Sequence, residues 1–193
     1  MKKEEPIILA IPRGGVVTGD VIASALNANL DVVVPRKLGA PYNPELAIGA
    51  VMHDGSYFLN TDVISMLRVS KEYIDAKICE QMKEIERRLM LFRGSIEYDL
   101  QGKTVVLVDD GIATGATMFA AIQWVKKQKP KKLVIAVPVG PMETIDKLKK
   151  IADEVVTISS PVFFGAVGEF YQDFAQVNDN EVREIMIKHE YKI

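Results

Sequence analysis

Short and almost entirely apolar segments alternate with segments of helical periodicity along this sequence, and this alternation restricts the possible folds. Five apolar segments are strand candidates: 6–11 (PIILAI), 31–35 (DVVVP), 104–109, 132–139 (KLVIAVPV) and 154–159 (EVVTIS). Strands that are apolar on both faces are typical of parallel sheets covered by helices on both sides. The sequence therefore predicts an α/β fold with a mostly parallel central sheet and helices on both faces.

Helical periodicity is found between these strand candidates. The clearest helix covers residues 70–93, where five apolar residues recur every three or four positions: Ile74, Ile78, Met82, Ile85 and Leu89. Residues 16–28 carry a second stripe: Val17, Val21, Ile22, Ala25 and Leu26. Further helices are expected over about 116–128 and after Pro141. Residues 45–51 and 56–60 predict a β-hairpin, because the Asp-Gly pair between them favours a tight turn.

Composition narrows the classes of protein that fit. The 193 residues, 48% of them hydrophobic, can bury a sizeable core, so we expect one domain over 1–193. A net charge of -2 gives no electrostatic case for a nucleic-acid or membrane partner. We expect a cytoplasmic protein, since Cys79 is its only cysteine and no signal peptide is evident. Cys79 is expected to be a packing residue, and His53 and His189 to be structural.

The segment VVLVDDGIATGAT (105–117) has the chemistry of a binding loop. Gly111 and Gly115 let the backbone approach a ligand, while the helix that begins near Ala116 directs free N–H groups into the loop. These features predict a phosphate site. Asp109 and Asp110 could accept hydrogen bonds from sugar hydroxyls or hold a metal through water. The alternative is a polar strand end with an ordinary N-cap, although two acids after a buried strand are costly without a partner.

This segment closely resembles the phosphoribosyl-pyrophosphate (PRPP) motif of type I phosphoribosyltransferases. AIPRGG (10–15) resembles the pyrophosphate loop of that family. Residues 34–51 and 161–177 resemble a less characterised subgroup of predicted phosphoribosyltransferases, so the resemblance covers nearly all of the chain. It implies the family fold with a β-hairpin and flexible-loop region and a C-terminal hood.

The resemblance also implies roles for individual residues. Asp109 and Asp110 would bind the ribose hydroxyls. The rest of the PRPP site would be Gly111 and the residues that wrap the 5′-phosphate: Ala113, Thr114, Gly115, Ala116 and Thr117. The pyrophosphate loop would be Arg13, Gly14 and Gly15, in a segment that often carries a non-proline cis peptide in this family.

Two further groups of residues have both a functional and an ordinary interpretation. Arg36 and Lys37 lie where the resemblance places the flexible loop, and with Arg13 they are the candidates for stabilising the leaving pyrophosphate; the alternative is a solvated strand end. The hood candidates are Phe163, Phe164, Tyr171 and Asp173. They could cover a base, or the aromatic side chains could fill the core while Asp173 caps a turn.

The activity that the resemblance implies is transfer of the phosphoribosyl group of PRPP to a nucleobase or related nitrogen nucleophile, with pyrophosphate release. Mg²⁺ is expected to bind with PRPP and without direct protein ligands. A homodimer is expected from family habit. Ala113 stands where enzymes for 6-oxopurines carry an aspartate, which weakens that choice of acceptor. The alternative function is a regulatory protein that binds PRPP or a nucleotide without transfer. A receiver-type signalling domain does not fit, because its paired acids should follow the first strand.

Overall fold

The computed structural model describes residues 6–193, which form eight strands, six α-helices and one 3₁₀ helix. The strands are β1 Ile7–Ala10, β2 Asn29–Val32, β3 Arg36–Ala40, β4 Asn43–Val51, β5 Tyr57–Leu59, β6 Thr104–Val108, β7 Lys132–Val139 and β8 Glu154–Ser159. The α-helices are α1 Gly14–Leu26, α2 Thr61–Leu67, α3 Lys71–Arg93, α4 Ala116–Lys127, α5 Met142–Lys149 and α6 Asp179–Lys188. The 3₁₀ helix is Val167–Phe170.

The central sheet has five strands in the order β2-β1-β6-β7-β8, and all four pairings are parallel. This confirms the predicted α/β class. Ile7 is level with Val105, and Ala10 with Val108, so β1 and β6 end at the same height. Because carboxyl ends of parallel strands share one edge of the sheet, the loops after β1 and β6 lie side by side.

A smaller antiparallel sheet, in the order β3-β4-β5, includes the predicted hairpin between β4 and β5. Its first strand corrects one expectation. Arg36 and Lys37 lie in β3 opposite Val51 and Ala50, rather than in a flexible loop. Successive strand residues point to opposite sides of a sheet, so these two basic side chains leave β3 in different directions.

Helix α1 corrects a second expectation, because only Ile22 of the stripe chosen from its periodicity packs against the core. Val17 and Val21 are exposed, whereas Gly15, Val16, Gly19 and Ala23 are buried. A Cβ atom on Gly19 would lie 3.0 Å from the Ala10 Cβ atom, so this helix packs closely on β1 through its small residues. By contrast, the predicted stripe of α3 does face the core, where Ile85 and Leu89 are completely buried.

Helix α6 was not anticipated from the sequence. The helix begins with a capping box between Asn178 and Glu181.

Cys79 is exposed and is therefore not the packing residue that was predicted. His189 Nε2 lies 2.7 Å from Asp20 Oδ1. The other histidine, His53, is partly buried, and this burial lowers its pKa. Among residues 6–193, no helix has the length and apolar character needed to cross a membrane.

Candidate active site

Two adjacent carboxyl groups follow β6 at the carboxyl edge of the central sheet. Asp109 Oδ1 accepts a 2.9 Å hydrogen bond from the Asp110 backbone N–H. Burial raises the pKa of Asp109 well above its usual range, and the nearby Asp110 charge raises it further. Burial also raises the pKa of Asp110. Within residues 6–193, neither carboxylate forms an ion pair. The pair is therefore suited to ligand hydroxyl groups or to a cation that arrives with a ligand.

The loop after β1 leads into the first turn of α1, and the two glycines of that turn contact the acidic pair directly. The loop contains a cis peptide bond between Pro12 and Arg13. A Cβ atom on Gly14 would come within 2.6 Å of Asp110 Cγ. A Cβ atom on Gly15 would lie 2.8 Å from Asp109 Cα. Both glycines are thus required by the close approach of these two segments.

The loop after β6 leads to an α4 N-terminus that has no side-chain cap. Gly115 is the N-cap residue, with a left-handed φ of 81° that favours glycine. Its carbonyl accepts a 2.8 Å hydrogen bond from the Phe119 N–H group, and the loop is anchored by a 2.9 Å bond from Ile112 N–H to the Val139 carbonyl. Ala113 and Thr114 are exposed beside this turn. The first N–H groups of α4, including those of Ala116 and Thr117, are therefore available to an anion.

The basic candidates occupy two places. Arg13 forms a 3.4 Å ion pair with Asp179 at the start of α6. Arg36 Nε donates a 2.9 Å hydrogen bond to Gln81 of α3. Lys37 instead pairs with Glu45 at 3.0 Å, on the strand next to its own. The charge of Arg13 acts on Arg36, so these two arginines belong to one basic cluster, whereas Lys37 has a separate partner in the small sheet.

The structure adds two arginines of α3 to this cluster. Burial lowers the pKa of Arg36, and the charges of Arg88, Arg13 and Arg87 lower it further. The sequence analysis did not select Arg87 and Arg88 as site residues, because a row of charges on a long helix is usually solvated.

The C-terminal hood candidates do not act as one group. The Tyr171 hydroxyl donates a hydrogen bond to the Asp110 backbone carbonyl, which joins this segment to the acidic pair. Phe164 stacks on Phe170 with ring centroids 5.3 Å apart. Phe163 is 92% exposed, so it does not fill the core, and Asp173 is exposed as well. Only Tyr171 of the four is thus seen in contact with the site.

Comparison with known proteins identifies related chains. A model of the phosphoribosyl transferase domain matches residues 1–174. A protein of Mycobacterium tuberculosis, named provisionally as a phosphoribosyl transferase, is 44% identical over 177 residues, which are 91% of this chain and 40% of that protein. The chain therefore spans less than half the length of this curated relative. A ribose-phosphate pyrophosphokinase of Pyrococcus furiosus is 36% identical over 72 residues, covering 35% of this chain and 26% of that protein.

The crystal structure of the protein TT1426 from Thermus thermophilus superposes with a TM-score of 0.77 at 40% sequence identity. The match covers 97% of this chain and 89% of that one. Because both the length and the sequence agree, the arrangement of two sheets seen here is shared with an experimentally determined fold.

Proposed function

This chain belongs to the phosphoribosyl transferase domain family, and from that membership we propose that it is a phosphoribosyltransferase that uses PRPP. The reaction would transfer the phosphoribosyl group to a nucleobase or related nitrogen nucleophile and release pyrophosphate. One observation carries the proposal. The acidic pair Asp109–Asp110 is in contact with Gly14 and Gly15 and is followed directly by the uncapped N-terminus of α4. This edge therefore offers sites for a phosphate, a polyol and a second anion in the order that PRPP requires.

The proposed reaction breaks the bond between C1 of the ribose and the pyrophosphate oxygen and forms a bond from the acceptor nitrogen to C1. The nitrogen then gives up a proton, and the electron pair of the broken bond leaves with pyrophosphate. The N–H groups of α4, with Thr114 and Thr117, would hold the 5′-phosphate. Asp109 and Asp110 would accept hydrogen bonds from the ribose hydroxyls. The protein would contribute mainly position and charge stabilisation.

The departing pyrophosphate would lie against the loop after β1. There Arg13 and Arg36 would supply positive charge, while Gly14 and Gly15 allow the chain to lie against the acidic pair. Lys37 is a weaker candidate than Arg36, because Glu45 already neutralises its ammonium group. Tyr171 would border the acceptor, since its hydroxyl group contacts the Asp110 backbone.

Mg²⁺ fits the oxygen donors of this edge. Asp109 and Asp110 are hard oxygen ligands with no cationic partner within residues 6–193, and they could hold a hydrated ion that enters with PRPP. Such an ion would neutralise part of the pyrophosphate charge. The homodimer and the cytoplasmic location expected from the sequence stay predictions.

The test is calorimetric titration of PRPP, with and without Mg²⁺, into the wild type and into Asp110→Asn/Thr114→Val. We expect saturable, Mg²⁺-dependent binding to the wild type. The double variant should bind at least roughly 100-fold more weakly, because two hydrogen bonds to charged groups are lost. Asp146→Asn, on the exposed surface of α5, is the matched control and should bind normally.

A panel of bases assayed for pyrophosphate release then separates the two candidate functions. Release with one base or a group of related bases supports the transferase. Tight binding of PRPP with no release across the panel would favour the regulatory alternative. Absence of PRPP binding by a folded wild-type protein would refute the transferase and would leave, of the alternative, only a regulator that binds a nucleotide.

A further inference from the structure

Helix α3 contacts Arg36 through Gln81 and lies near the Arg13–Asp179 pair through Arg87. We propose that Arg88 binds the pyrophosphate end of PRPP together with Arg36, and that Gln81 and Glu84 are positioning residues for these two guanidinium groups. The proposal rests on the proposed function and adds to it a binding residue from a helix that neither the motif nor the loop after β1 includes.

The two guanidinium groups are held in the same manner. Arg36 Nε donates to Gln81 Oε1 at 2.9 Å, and Arg88 Nε donates to Glu84 Oε1 at 2.7 Å. Within the described chain, the Nη groups of both arginines have no hydrogen-bond acceptor. Each guanidinium is therefore held through its Nε atom, and its Nη groups remain available to a ligand. A planar guanidinium with such free groups matches the oxygens of a phosphate.

Gln81 is itself oriented by its neighbours. Its Nε2 atom donates a 3.1 Å hydrogen bond to Glu80, which leaves Oε1 facing Arg36. Residues 81, 84 and 88 are separated by three and four positions, so they share one face of α3. This face is turned toward β3, where Arg36 lies.

Arg87, in the same cluster, is paired with protein acceptors more extensively than Arg88. Its Nε and Nη2 atoms donate to the two oxygens of Glu84 at 2.7 and 2.9 Å. Its Nη2 atom also lies 3.8 Å from Asp179, the partner of Arg13. Arg87 thus links the cluster to Arg13 in the loop after β1 through Asp179. Its Nε and Nη2 atoms are already bonded to Glu84.

The cluster carries more positive than negative charge. Four guanidinium groups, those of Arg13, Arg36, Arg87 and Arg88, lie beside only two carboxylates. The three of Arg13, Arg87 and Arg88 pair with Glu84 or Asp179, and Arg36 is bonded to the neutral amide of Gln81. The Arg88 side chain is only 16% exposed, so water screens its charge incompletely. Like charges held together in a partly buried place disfavour the folded protein unless an anion joins them. Pyrophosphate would supply that anion, at the position where the mechanism needs it.

The experiment compares three ligands by calorimetry in the presence of Mg²⁺: PRPP, inorganic pyrophosphate and ribose 5-phosphate. Arg88→Ala should weaken PRPP and pyrophosphate by about 10- to 100-fold, the range expected when a hydrogen bond to a charged group is lost. Ribose 5-phosphate, which lacks the pyrophosphate group, should bind as it does to the wild type. Arg88→Lys should also bind PRPP weakly, because an ammonium group keeps the charge but not the fork.

Two further variants sharpen this comparison. Gln81→Leu should lower pyrophosphate affinity less than Arg88→Ala does, since it frees Arg36 without removing it. Lys83→Ala removes a positive charge from the exposed side of the same helix and should leave all three ligands unaffected.

The outcomes separate this proposal from the one on which it rests. If the wild type binds PRPP and Arg88→Ala binds it equally well, the role of Arg88 is refuted and the proposed function stands. An equal loss for all three ligands would also refute it, because damage would then extend beyond the pyrophosphate end. If the folded wild type binds neither PRPP nor pyrophosphate, both proposals fail.

Discussion

Replacement of Gly14 by alanine tests whether the loop after β1 and the acidic pair form one site. The added Cβ atom would overlap Asp110 Oδ2 and come within 2.6 Å of Asp110 Cγ. The backbone at Gly14 lies outside the left-handed region, so this overlap is the main effect of the substitution. Relief requires the Asp110 carboxylate to rotate away from its position. We expect PRPP affinity to fall by roughly 10- to 150-fold, which corresponds to the ~1.5–3 kcal/mol of a hydrogen bond to a charged group.

The assay pairs calorimetric titration of PRPP with thermal unfolding, and the chain offers two comparisons. At Gly15 the added atom would meet the Asp109 backbone at 2.8 Å, so Gly15→Ala should mainly lower stability, by about 1–3 kcal/mol. Gly102 has a φ of 70° and no atom within 4 Å of an added Cβ. Gly102→Ala should cost about 1 kcal/mol through backbone strain and leave PRPP affinity unchanged. A folded Gly14→Ala protein with wild-type affinity would show that Asp110 does not contact the ligand.

Two further predictions concern stability. Since burial raises the pKa of Asp109, its ionised form destabilises the fold above that pKa, and this penalty disappears as pH falls toward the ordinary value near 3.8. Asp109→Asn should therefore raise the melting temperature at about pH 8 and raise it less at about pH 5; an equal effect at both pH values would contradict this reasoning. Arg93 donates to Asp31 at 2.8 and 3.0 Å from a side chain that is 8% exposed, so Arg93→Ala should lower the free energy of unfolding by about 3–5 kcal/mol. Urea unfolding checks this value. PRPP affinity should stay at the wild-type level, because the side-chain partner of Arg93 is Asp31, outside the proposed site.

Local signals in the sequence were sufficient for the central sheet and for α3. The Ser70 hydroxyl accepts a 3.2 Å hydrogen bond from Tyr73 N–H at the start of α3, and Gly94 ends this helix with a φ of 67°. Both are short-range preferences of serine and glycine at helix ends. The meeting of the two binding loops was predictable for a similar reason, because each follows a buried parallel strand and such strands end at a common edge.

The buried face predicted for α1 was wrong, because hydrophobic periodicity does not show how closely a helix approaches the sheet. Apolar residues at helical spacing mark the buried face only when the helix is far enough from the sheet to need large side chains. At Gly19 the helix lies too close to Ala10 for any side chain, so small residues face the sheet at this point and Val17 and Val21 face outward. Helix α6 had a readable signal, since Asn178 and Glu181 have the spacing of a capping box, but that signal was not used.

The arginine cluster could not be predicted, because it depends on contacts across long stretches of sequence. Arg36 and its partner Gln81 are 45 residues apart, and Arg13 and Asp179 are 166 apart. A sequence shows which of these residues carry charge, but not which guanidinium N–H groups are left without an acceptor after folding. That distinction decides function here, because Arg87 and Arg88 are neighbours of the same type. Arg87 donates to Glu84 through both Nε and Nη2, whereas Arg88 donates through Nε alone. Arg88→Ala should therefore weaken pyrophosphate binding more than Arg87→Ala does, and this difference must come from the fold.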